Sequence, residues 1–362
     1  VVTPRWDLTS PVIEQVNGVH VTRFQAPAVN REQNFWFGWK KTMTEGAEQI
    51  LERHHFDAVH AQSWRAFAAL DRLPRKYGAV RQVVTLRDVG LICPIAICLL
   101  RHDKVPADCN QIKLALECVP EMVDVYGGHR AHVQRAVGYY LRRRLLANLQ
   151  NVSGVVFPSK ALYDVYRPFW PKGYPWIIPS PVNTEPPVSI VKAQILRANL
   201  ELHDVPTVLF VGKPSPGKGW HLFTQAAAWY RGQAKFVHVG PRTEAHNVHS
   251  VGPLPRSGVQ TWMRASTVVM IPPLQIDTLP RTAIEAQAQE RWVVGTNRGG
   301  LQEIVQPGTG TIAAPAQILD ALEPALIPTW PWNVAVARQN VLTKFDQAVV
   351  ANHLASAYRG DE

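Results

Sequence analysis

The chain has 362 residues, which at roughly 150 residues per domain predicts two domains, each able to bury its own core. Hydrophobic residues make up 46% and charged residues 18% of the sequence, a composition too apolar for a disordered chain, and no apolar run approaches the roughly 20 residues that a membrane span needs. The formal net charge of +10 favours an anionic partner without choosing among phosphate-bearing ligands, membrane surfaces and nucleic acid.

In the first half of the chain, short apolar runs alternate with amphipathic stretches, which is the pattern of a parallel sheet covered by helices. The opening Val1-Val2-Thr3 reads as the end of a buried strand, and Asn17-Gly18 predicts a tight turn between two extended runs. Further strands are predicted at 56–60, 80–86, 154–157 and 176–179, and helices at 64–70 and 131–149.

A proline pair then predicts a linker at 185–187, because proline continues neither a helix nor a strand. A second alternation follows this linker. Two doubly wound α/β halves that face each other across a cleft are the predicted architecture. The strands of the second half are predicted at 207–212, 236–240, 267–271 and 292–296, and its helices at 221–230, 259–264, 281–289 and 301–305.

A loop rich in glycine and proline follows the first strand of the second half. It runs from Gly212 through Lys213 and Lys218 to Gly219, where a helix begins. Glycines let the backbone approach a ligand closely, and lysines beside a helix N-terminus supply positive potential for phosphate oxygens. The spacing of a Walker loop is absent. The loop therefore predicts either a phosphate site of another kind or an ordinary turn with solvated lysines.

A second loop, at residues 272–280, places two carboxylates eight positions apart. Asp277 lies in the loop, and Glu285 lies within the helix that follows it. Pro280 suits the start of that helix, where its missing N–H costs nothing and the free amides can hold a phosphate. Small neighbours of Glu285 leave room for a bulky ligand. The alternative interpretation is a helix cap and a surface carboxylate.

Together these motifs resemble family 4 of the retaining glycosyltransferases, which have the GT-B fold. In the N-terminal half the resemblance rests on residues 57–63, 85–88 and 157–159, and at the domain junction on residues 178–183. Several ordered and widely separated motifs agree, so the resemblance implies two Rossmann-like domains. In the C-terminal half it rests on Gly212-Lys213, Lys218-Gly219, the pair Asp277 and Glu285, Glu285-Ala286-Gln287-Ala288 and Gly299-Gly300-Leu301-Gln302-Glu303.

The resemblance implies roles for the matching residues around a sugar nucleotide. Lysines neutralise the diphosphate as it leaves, the backbone at 280–282 helps to hold it, and Glu285 accepts hydrogen bonds from the ribose hydroxyls. Asp277 contacts hydroxyls of the donor sugar. The implied catalytic residues are Lys213, Lys218 and Asp277, and the implied donor-binding residues are Gly212, Pro280, Arg281, Thr282 and Glu285.

On the opposite side of the cleft, the resemblance places His60, Arg87 and Asp88 near the sugar or the acceptor. It also implies that the reaction retains the anomeric configuration without an obvious protein nucleophile. No cofactor and no metal are then required, and the nucleotide-diphosphate sugar is the donor substrate. We therefore nominate no carboxylate pair of the hydrolase kind.

Several positions depart from the family pattern. Asp277 stands where Glu is usual, and Arg87 and Gln62 each stand where His is common. The turn at 289–292 replaces the usual small-Gly-x-Pro sequence. Family members also open with a further strand, Gly-rich loop and helix, a unit of roughly 30 residues, before the strand matched by Val1–Thr3. An incomplete first sheet predicts an exposed apolar edge and self-association through it.

All four cysteines fall in one window, at Cys93, Cys98, Cys109 and Cys118. Their spacing lacks the two close pairs of a structural zinc site. The sequence favours reduced thiols, with two disulfides or a metal site as the alternatives.

Two stretches combine basic and aromatic residues. Residues 35–41 suit a membrane interface or the packing of a long loop, and residues 129–144 suit an anionic lipid or a solvated helical face. No motif beyond net charge supports nucleic-acid binding. We expect a cytoplasmic protein, with a peripheral contact to the membrane as an option.

The function predicted from the sequence is that of a retaining, metal-independent glycosyltransferase, which moves a sugar from a nucleotide-diphosphate sugar to a glycan or lipid-linked acceptor. The alternatives are a non-catalytic nucleotide-sugar-binding or assembly protein of the same fold, and a sugar-nucleotide epimerase. The predicted units are an acceptor-side domain at 1–184, a nucleotide-sugar domain at 185–340 and a helix at 341–362 that crosses back to the first domain.

Overall fold

Two parallel sheets, one in each half of the chain, organise the computed structural model. The structure describes residues 1–5, 12–25, 40–71, 80–93, 109–126, 139–170, 175–182, 184–202, 205–230, 232–327 and 333–361. The strands are β1 (Val2–Arg5), β2 (Ile13–Val16), β3 (Val19–Gln25), β4 (Ala58–Ala61), β5 (Arg81–Thr85), β6 (Gly154–Phe157), β7 (Pro175–Ile177), β8 (Thr207–Val211), β9 (Lys235–Val239), β10 (Val248–Gly252), β11 (Val268–Ile271), β12 (Trp292–Thr296) and β13 (Gly310–Ala313).

The helices cover both sheets. They are α1 (Lys40–Arg53), α2 (Trp64–Leu70), α3 (Gln111–Lys113), which continues through a π-helical turn into α4 (Val119–Tyr126), α5 (Tyr139–Asn148), α6 (Lys160–Tyr166), α7 (Ile190–Asn199), α8 (Trp220–Trp229), α9 (Arg256–Ala265), α10 (Arg281–Ala288), α11 (Leu301–Ile304), α12 (Ile318–Ala325), α13 (Val334–Phe345) and α14 (Gln347–Arg359).

The N-terminal half is built on a four-stranded parallel sheet in the order β4-β5-β6-β7. Strand β6 is buried along its whole length, as expected for a parallel strand covered on both faces. Its last residue, Phe157, packs its ring against Tyr163, Tyr166 and Trp170, with ring centroids 5.5, 5.3 and 6.1 Å away. This aromatic cluster packs the second half of α6, and the turn that follows it, against the end of β6.

A smaller three-stranded sheet, in the order β1-β3-β2, lies earlier in the chain. Val16 pairs with Val19, and Asn17 and Gly18 both have positive φ, which is the backbone of a tight hairpin turn. The turn predicted at Asn17-Gly18 is therefore confirmed. The expectation of a buried strand is wrong at Val1, whose side chain is 70% exposed.

The C-terminal half is a six-stranded parallel sheet in the order β10-β9-β8-β11-β12-β13. The chain first adds strands on one side of β8 and then returns to its other side with β11, so the strand order reverses between β8 and β11. Separate apolar clusters cover the two faces, one containing Leu209 and Val293 and the other Val208 and Val294. Open α/β sheets bind ligands at the carboxyl ends of the strands at such a reversal.

The last helix, α14, packs on the N-terminal sheet. Its Val350 and Ala357 form a buried cluster with Val83, Val156 and Ile178. The two segments that pass between the halves run side by side, because the amide of Val182 donates to the carbonyl of Phe345 at 3.0 Å. The halves are thus joined by two adjacent segments.

Most predicted elements of both halves are present. The elements without a predicted counterpart are the strands β10 and β13 and the helices α1, α3, α4, α6, α7, α12 and most of α13. Residues 127–138 lie outside the described part, so the predicted helix at 131–149 is seen only as Tyr139–Asn148. Strand β10 was not predicted because it is an edge strand with few apolar residues. The polar residues His249 and Ser250 interrupt its apolar run.

Two arginines of the basic stretch at 129–144 pack against aromatic rings, whereas Arg144 is exposed. The guanidinium of Arg142 lies 4.0 Å from the ring centroid of Trp64, and that of Arg143 lies 4.5 Å from the ring centroid of Phe169. The interpretation as a solvated face is therefore wrong for Arg142, which is buried. Residues 35–39 of the other basic stretch lie outside the described part, and none of the described helices is long and apolar enough to cross a bilayer.

Replacing Phe157 with alanine tests the aromatic cluster. Because the ring is fully buried, Phe157→Ala is expected to lower the free energy of unfolding of the N-terminal half by about 3–5 kcal/mol. Urea denaturation followed by tryptophan fluorescence measures the loss. Phe56→Ala is the control, because Phe56 is 38% exposed. An equal loss in both variants would contradict the assignment.

Candidate active site at the strand-order reversal

The two loops singled out in the sequence meet at the reversal between β8 and β11. The carbonyl of Gly217 accepts hydrogen bonds from the amides of Leu274 and Gln275, each at 3.1 Å. Gly219 has φ of +70°, and a Cβ there would lie 1.7 Å from the carbonyl oxygen of Pro272. Glycine is required at 219 by both the backbone conformation and this contact, so the first loop is held directly against the second.

An ion pair joins the same two loops at the cleft. Lys218 Nζ lies 2.5 Å from Asp277 Oδ2, and the two side chains are 54% and 13% exposed. A pair this exposed on its cationic side contributes little to stability. The pair instead determines where charge lies, because it holds an ammonium and a carboxylate side by side in the loops that follow β8 and β11.

The backbone at Gly212 is fixed by a buried histidine. Gly212 has φ of +133°, and no described atom lies within 4 Å of where its Cβ would be, so this position faces open space. Its carbonyl lies 2.8 Å from Nε2 of His238. Because a carbonyl only accepts, Nε2 carries the proton, and Nδ1 faces the hydroxyl of Ser250 at 3.4 Å. Lys213 follows and is exposed.

Sequence reasoning placed His238 in a strand without giving it a role. The available signal was a polar residue in the otherwise apolar run Phe236-Val237-His238-Val239. A fully buried histidine is stable only with hydrogen-bond partners, and here one partner is the carbonyl of Gly212, directly after β8.

Helix α10 begins at this site, and the amide of Ala283 in its first turn donates to the carbonyl of Pro280 at 2.9 Å. Pro280 precedes the helix, and no side chain of the described residues caps it. Thr282 lies in the first turn, and Glu285 lies one turn further on and is partly buried. Burial raises the pKa of Glu285, and the nearby guanidinium groups of Arg281 and Arg256 oppose this shift. An uncapped helix N-terminus with cationic neighbours favours an anion.

On the other side of the cleft, His60 connects three elements. Its Nδ1 lies 2.6 Å from the hydroxyl of Tyr358 in α14, and its Nε2 lies 2.7 Å from the hydroxyl of Thr85 in β5. Burial, and then the charge of Arg87, lower the pKa of His60 to about 4. The imidazole is therefore neutral at physiological pH.

Arg87 and Asp88 follow β5 and differ in their surroundings. Arg87 donates to Gln62 Oε1 at 2.5 Å. Burial and then the charge of Arg281 lower the pKa of Arg87, so two guanidinium groups from opposite halves lie close enough to repel each other. Asp88 Oδ1 instead accepts from the amide of Gly90 at 2.7 Å and caps a short 3-10 helix.

The predicted site residues thus form two groups. In the C-terminal half, the loop that carries Lys213 and Lys218 lies beside Asp277 and the start of α10. In the N-terminal half, His60, Gln62 and Arg87 lie together. Electrostatic coupling between Arg87 and Arg281 links the groups across the cleft.

The cysteines that the structure describes, Cys93, Cys109 and Cys118, pack in or against the apolar core of the N-terminal half. Among the residues that the structure describes, no cluster of three His, Cys, Asp or Glu side chains is arranged to hold a metal ion. Burial, and then the neighbouring thiols of Cys93 and Cys109, raise the pKa of Cys118 to about 11, so this thiol is protonated at neutral pH. Cys98 lies outside the described residues.

Comparison with solved structures identifies the architecture. Sucrose-phosphate synthase from Thermosynechococcus elongatus superposes with a TM-score of 0.76 and 22% identity, over 99% of this chain and 88% of that one. The fold is GT-B. Anabaena Alr3699/HepE in complex with UDP and glucose gives a TM-score of 0.68 at 16% identity, over 94% of this chain and 86% of that one.

A third GT-B structure, a UDP-forming trehalose-phosphate synthase from Burkholderia xenovorans in complex with glucose-6-phosphate, gives a TM-score of 0.67 at 13% identity, over 99% of this chain and 91% of that one. Residues 205–327 match the family described as Glycosyl transferases group 1. This match spans β8 to α12 and so contains both site loops. A comparison with curated protein sequences gives no significant match.

The buried state of His60 predicts a specific pH dependence. The unfolded chain binds this proton near pH 6.5 and the folded chain only near pH 4, so the unfolded state holds more protons between these values. The contribution of His60 to stability is therefore fully present above pH 6.5 and falls by about 3 kcal/mol as the pH drops to 4.

An NMR titration of the imidazole signals, assigned with His60→Gln, checks this prediction. The expected midpoint for His60 is about 4. A midpoint near 6.5 would show that the ring is solvated and that the contacts with Tyr358 and Thr85 do not hold in solution.

Proposed function

We propose that this protein is a retaining glycosyltransferase that uses a nucleotide-diphosphate sugar as donor and needs no metal. The observation that carries the proposal is the meeting of two loops at the strand-order reversal. There the Lys218–Asp277 pair adjoins a helix N-terminus that no described side chain caps. The match of residues 205–327 to a glycosyltransferase family supports it.

In the proposed complex, the diphosphate lies against Gly212, Lys213, Lys218 and the amides at the start of α10. Gly212 suits this contact because open space lies where its side chain would be. Glu285, partly buried one turn into the helix, accepts hydrogen bonds from the ribose hydroxyls. The donor sugar then lies beside Asp277. The solved complexes of HepE with UDP-glucose support a UDP-sugar as the first donor to test.

The proposed chemistry is the transfer of the anomeric carbon from one oxygen to another. The bond between this carbon and the β-phosphate oxygen breaks, and a bond to the acceptor hydroxyl oxygen forms on the same face. The acceptor's proton passes to the departing phosphate. Negative charge grows on the leaving diphosphate, where preorganised ammonium groups and amides stabilise it. Lys213 and Lys218 are the catalytic cations in this account.

For the acceptor, we propose a carbohydrate hydroxyl, either on a free or phosphorylated sugar or on a lipid-linked glycan. The trehalose-phosphate synthase structure in complex with glucose-6-phosphate supports a sugar or a sugar phosphate as the first acceptor to test. We place the reaction in the cytoplasm, where nucleotide sugars are available, with lipid-linked acceptors reached from the membrane face.

Calorimetric titration with UDP, GDP and ADP tests the donor site. We expect one nucleotide to bind preferentially, and its sugar conjugates to release nucleoside diphosphate when a suitable acceptor is added. No binding of any of the three would overturn the proposal. Binding without transfer would favour a non-catalytic nucleotide-sugar binder, and conversion of the donor sugar without an acceptor would favour an epimerase.

Two substitutions separate donor binding from turnover. Glu285→Ala removes a charged hydrogen-bond acceptor and is expected to weaken nucleotide affinity by about 10- to 100-fold. Lys218→Ala is expected to lower kcat about 100-fold or more, with a smaller change in nucleotide affinity. Calorimetry and steady-state kinetics measure the two effects. The matched controls are Glu323→Ala and Lys192→Ala on exposed helix positions, which should change neither quantity.

A further inference from the structure

A carboxylate from the C-terminal half holds the start of a helix in the N-terminal half. Glu303 Oε2 accepts from the amide of Lys160 at 2.9 Å, and Glu303 Oε1 accepts from the amide of Ala161 at 2.8 Å. The third amide of α6, that of Leu162, donates to the hydroxyl of Ser159 at 3.2 Å. The amides at the start of a helix lack partners within the helix, so two of these three are satisfied by the other half of the molecule.

The loop before Glu303 is packed against both halves. A Cβ on Gly300 would lie 3.1 Å from Ser159 Cβ and 2.4 Å from the carbonyl oxygen of Thr278. The amide of Gly300 donates to the carbonyl of Asp277 at 2.8 Å. A side chain at position 300 would therefore push α6 and the Asp277 loop apart.

The Asp277 loop itself also reaches into the N-terminal half. Ile276, which is 9% exposed, belongs to the apolar core cluster of that half, together with residues of β6 and α6. The next residue forms the ion pair with Lys218. Glu303, Gly300 and Ile276 thus tie the backbone of Asp277 to the N-terminal half.

The connection between the halves is narrow. Two adjacent segments pass between them, beside the hydrogen bond from Val182 to Phe345. Domains joined in this way open and close around a ligand by small rotations at the connecting residues. A contact that crosses the cleft then stabilises the closed arrangement and is lost on opening.

We propose that Glu303 is a positioning residue that latches the two halves in the closed arrangement and thereby places Asp277 and Lys218 for the donor. The carboxylate is suited to this because an anion at a helix N-terminus gains from the helix dipole and from charge-assisted hydrogen bonds. The latch is a contact between described residues, and only its effect on turnover rests on the proposed function.

Hydrogen–deuterium exchange of the full chain tests the latch directly. Glu303→Gln keeps the side-chain shape, but it removes the charge and turns an NH₂ group toward an amide N–H. We expect the amides of residues 160 and 161 to exchange at least about 10-fold faster in this variant, and the radius of gyration from small-angle X-ray scattering to increase. Glu323→Gln removes the same charge from an exposed position and should change neither.

Two substitutions at position 160 test the contact from the other side. Lys160→Pro removes the amide donor at a helix position that tolerates proline, and Ser159 already has the extended backbone that precedes proline, with φ −154° and ψ 155°. Lys160→Ala keeps the amide and removes only the ion pair with Asp164. The proline variant should reproduce the expansion seen in Glu303→Gln, and the alanine variant should not.

Kinetics separate the latch from a general loss of structure. If only the closed arrangement binds the nucleotide sugar, the KM rises in inverse proportion to the closed fraction. We expect the KM to rise about 10-fold in Glu303→Gln and Lys160→Pro, with a smaller change in kcat. Unchanged exchange and unchanged dimensions in both variants would overturn the latch. If exchange and dimensions respond as expected while the wild-type chain transfers no sugar, the latch stands and the proposed function fails.

Discussion

The reversal of strand order between β8 and β11 is the constraint on which the site depends. Because β8 and β11 are parallel neighbours, the loops that follow them leave the sheet at the same edge and must pass each other. The contacts of Gly217 with residues 274 and 275, and of Gly219 with Pro272, lock this crossing. Every charged group assigned to the donor is held relative to this crossing.

Polar groups buried behind the cleft keep this arrangement rigid. His238 fixes the carbonyl of Gly212 from within the C-terminal sheet, and His60 bridges the N-terminal sheet to α14. The neutral state of His60 leaves Arg87 as the cationic group of its cluster. Burial and then the charge of Arg281 lower the pKa of Arg87, so positive charge from both halves faces the cleft. Part of the +10 net charge of the chain therefore lies at the cleft.

The fold and the placement of the two loops could be predicted from the sequence, because buried parallel strands give apolar runs, and loops that follow them carry glycine, proline and charge. The prediction was poorest where that signal is weak. Strand β10 is an edge strand with polar residues, and Arg142 lies on a helix whose charged run conceals a buried cation–π contact. The supporting contacts of His238 and Glu303 join residues far apart in the chain, and no local pattern encodes them. The domain boundaries and the roles of the site residues stay predictions.

A crystal structure with a nucleoside diphosphate and its sugar tests the central claim most directly. We expect the diphosphate between Gly212, the two lysines of the same loop and the start of α10. The ribose should contact Glu285, the sugar should lie beside Asp277, and Glu303 should still contact the start of α6. A nucleotide bound elsewhere, with the loop crossing empty, would contradict it.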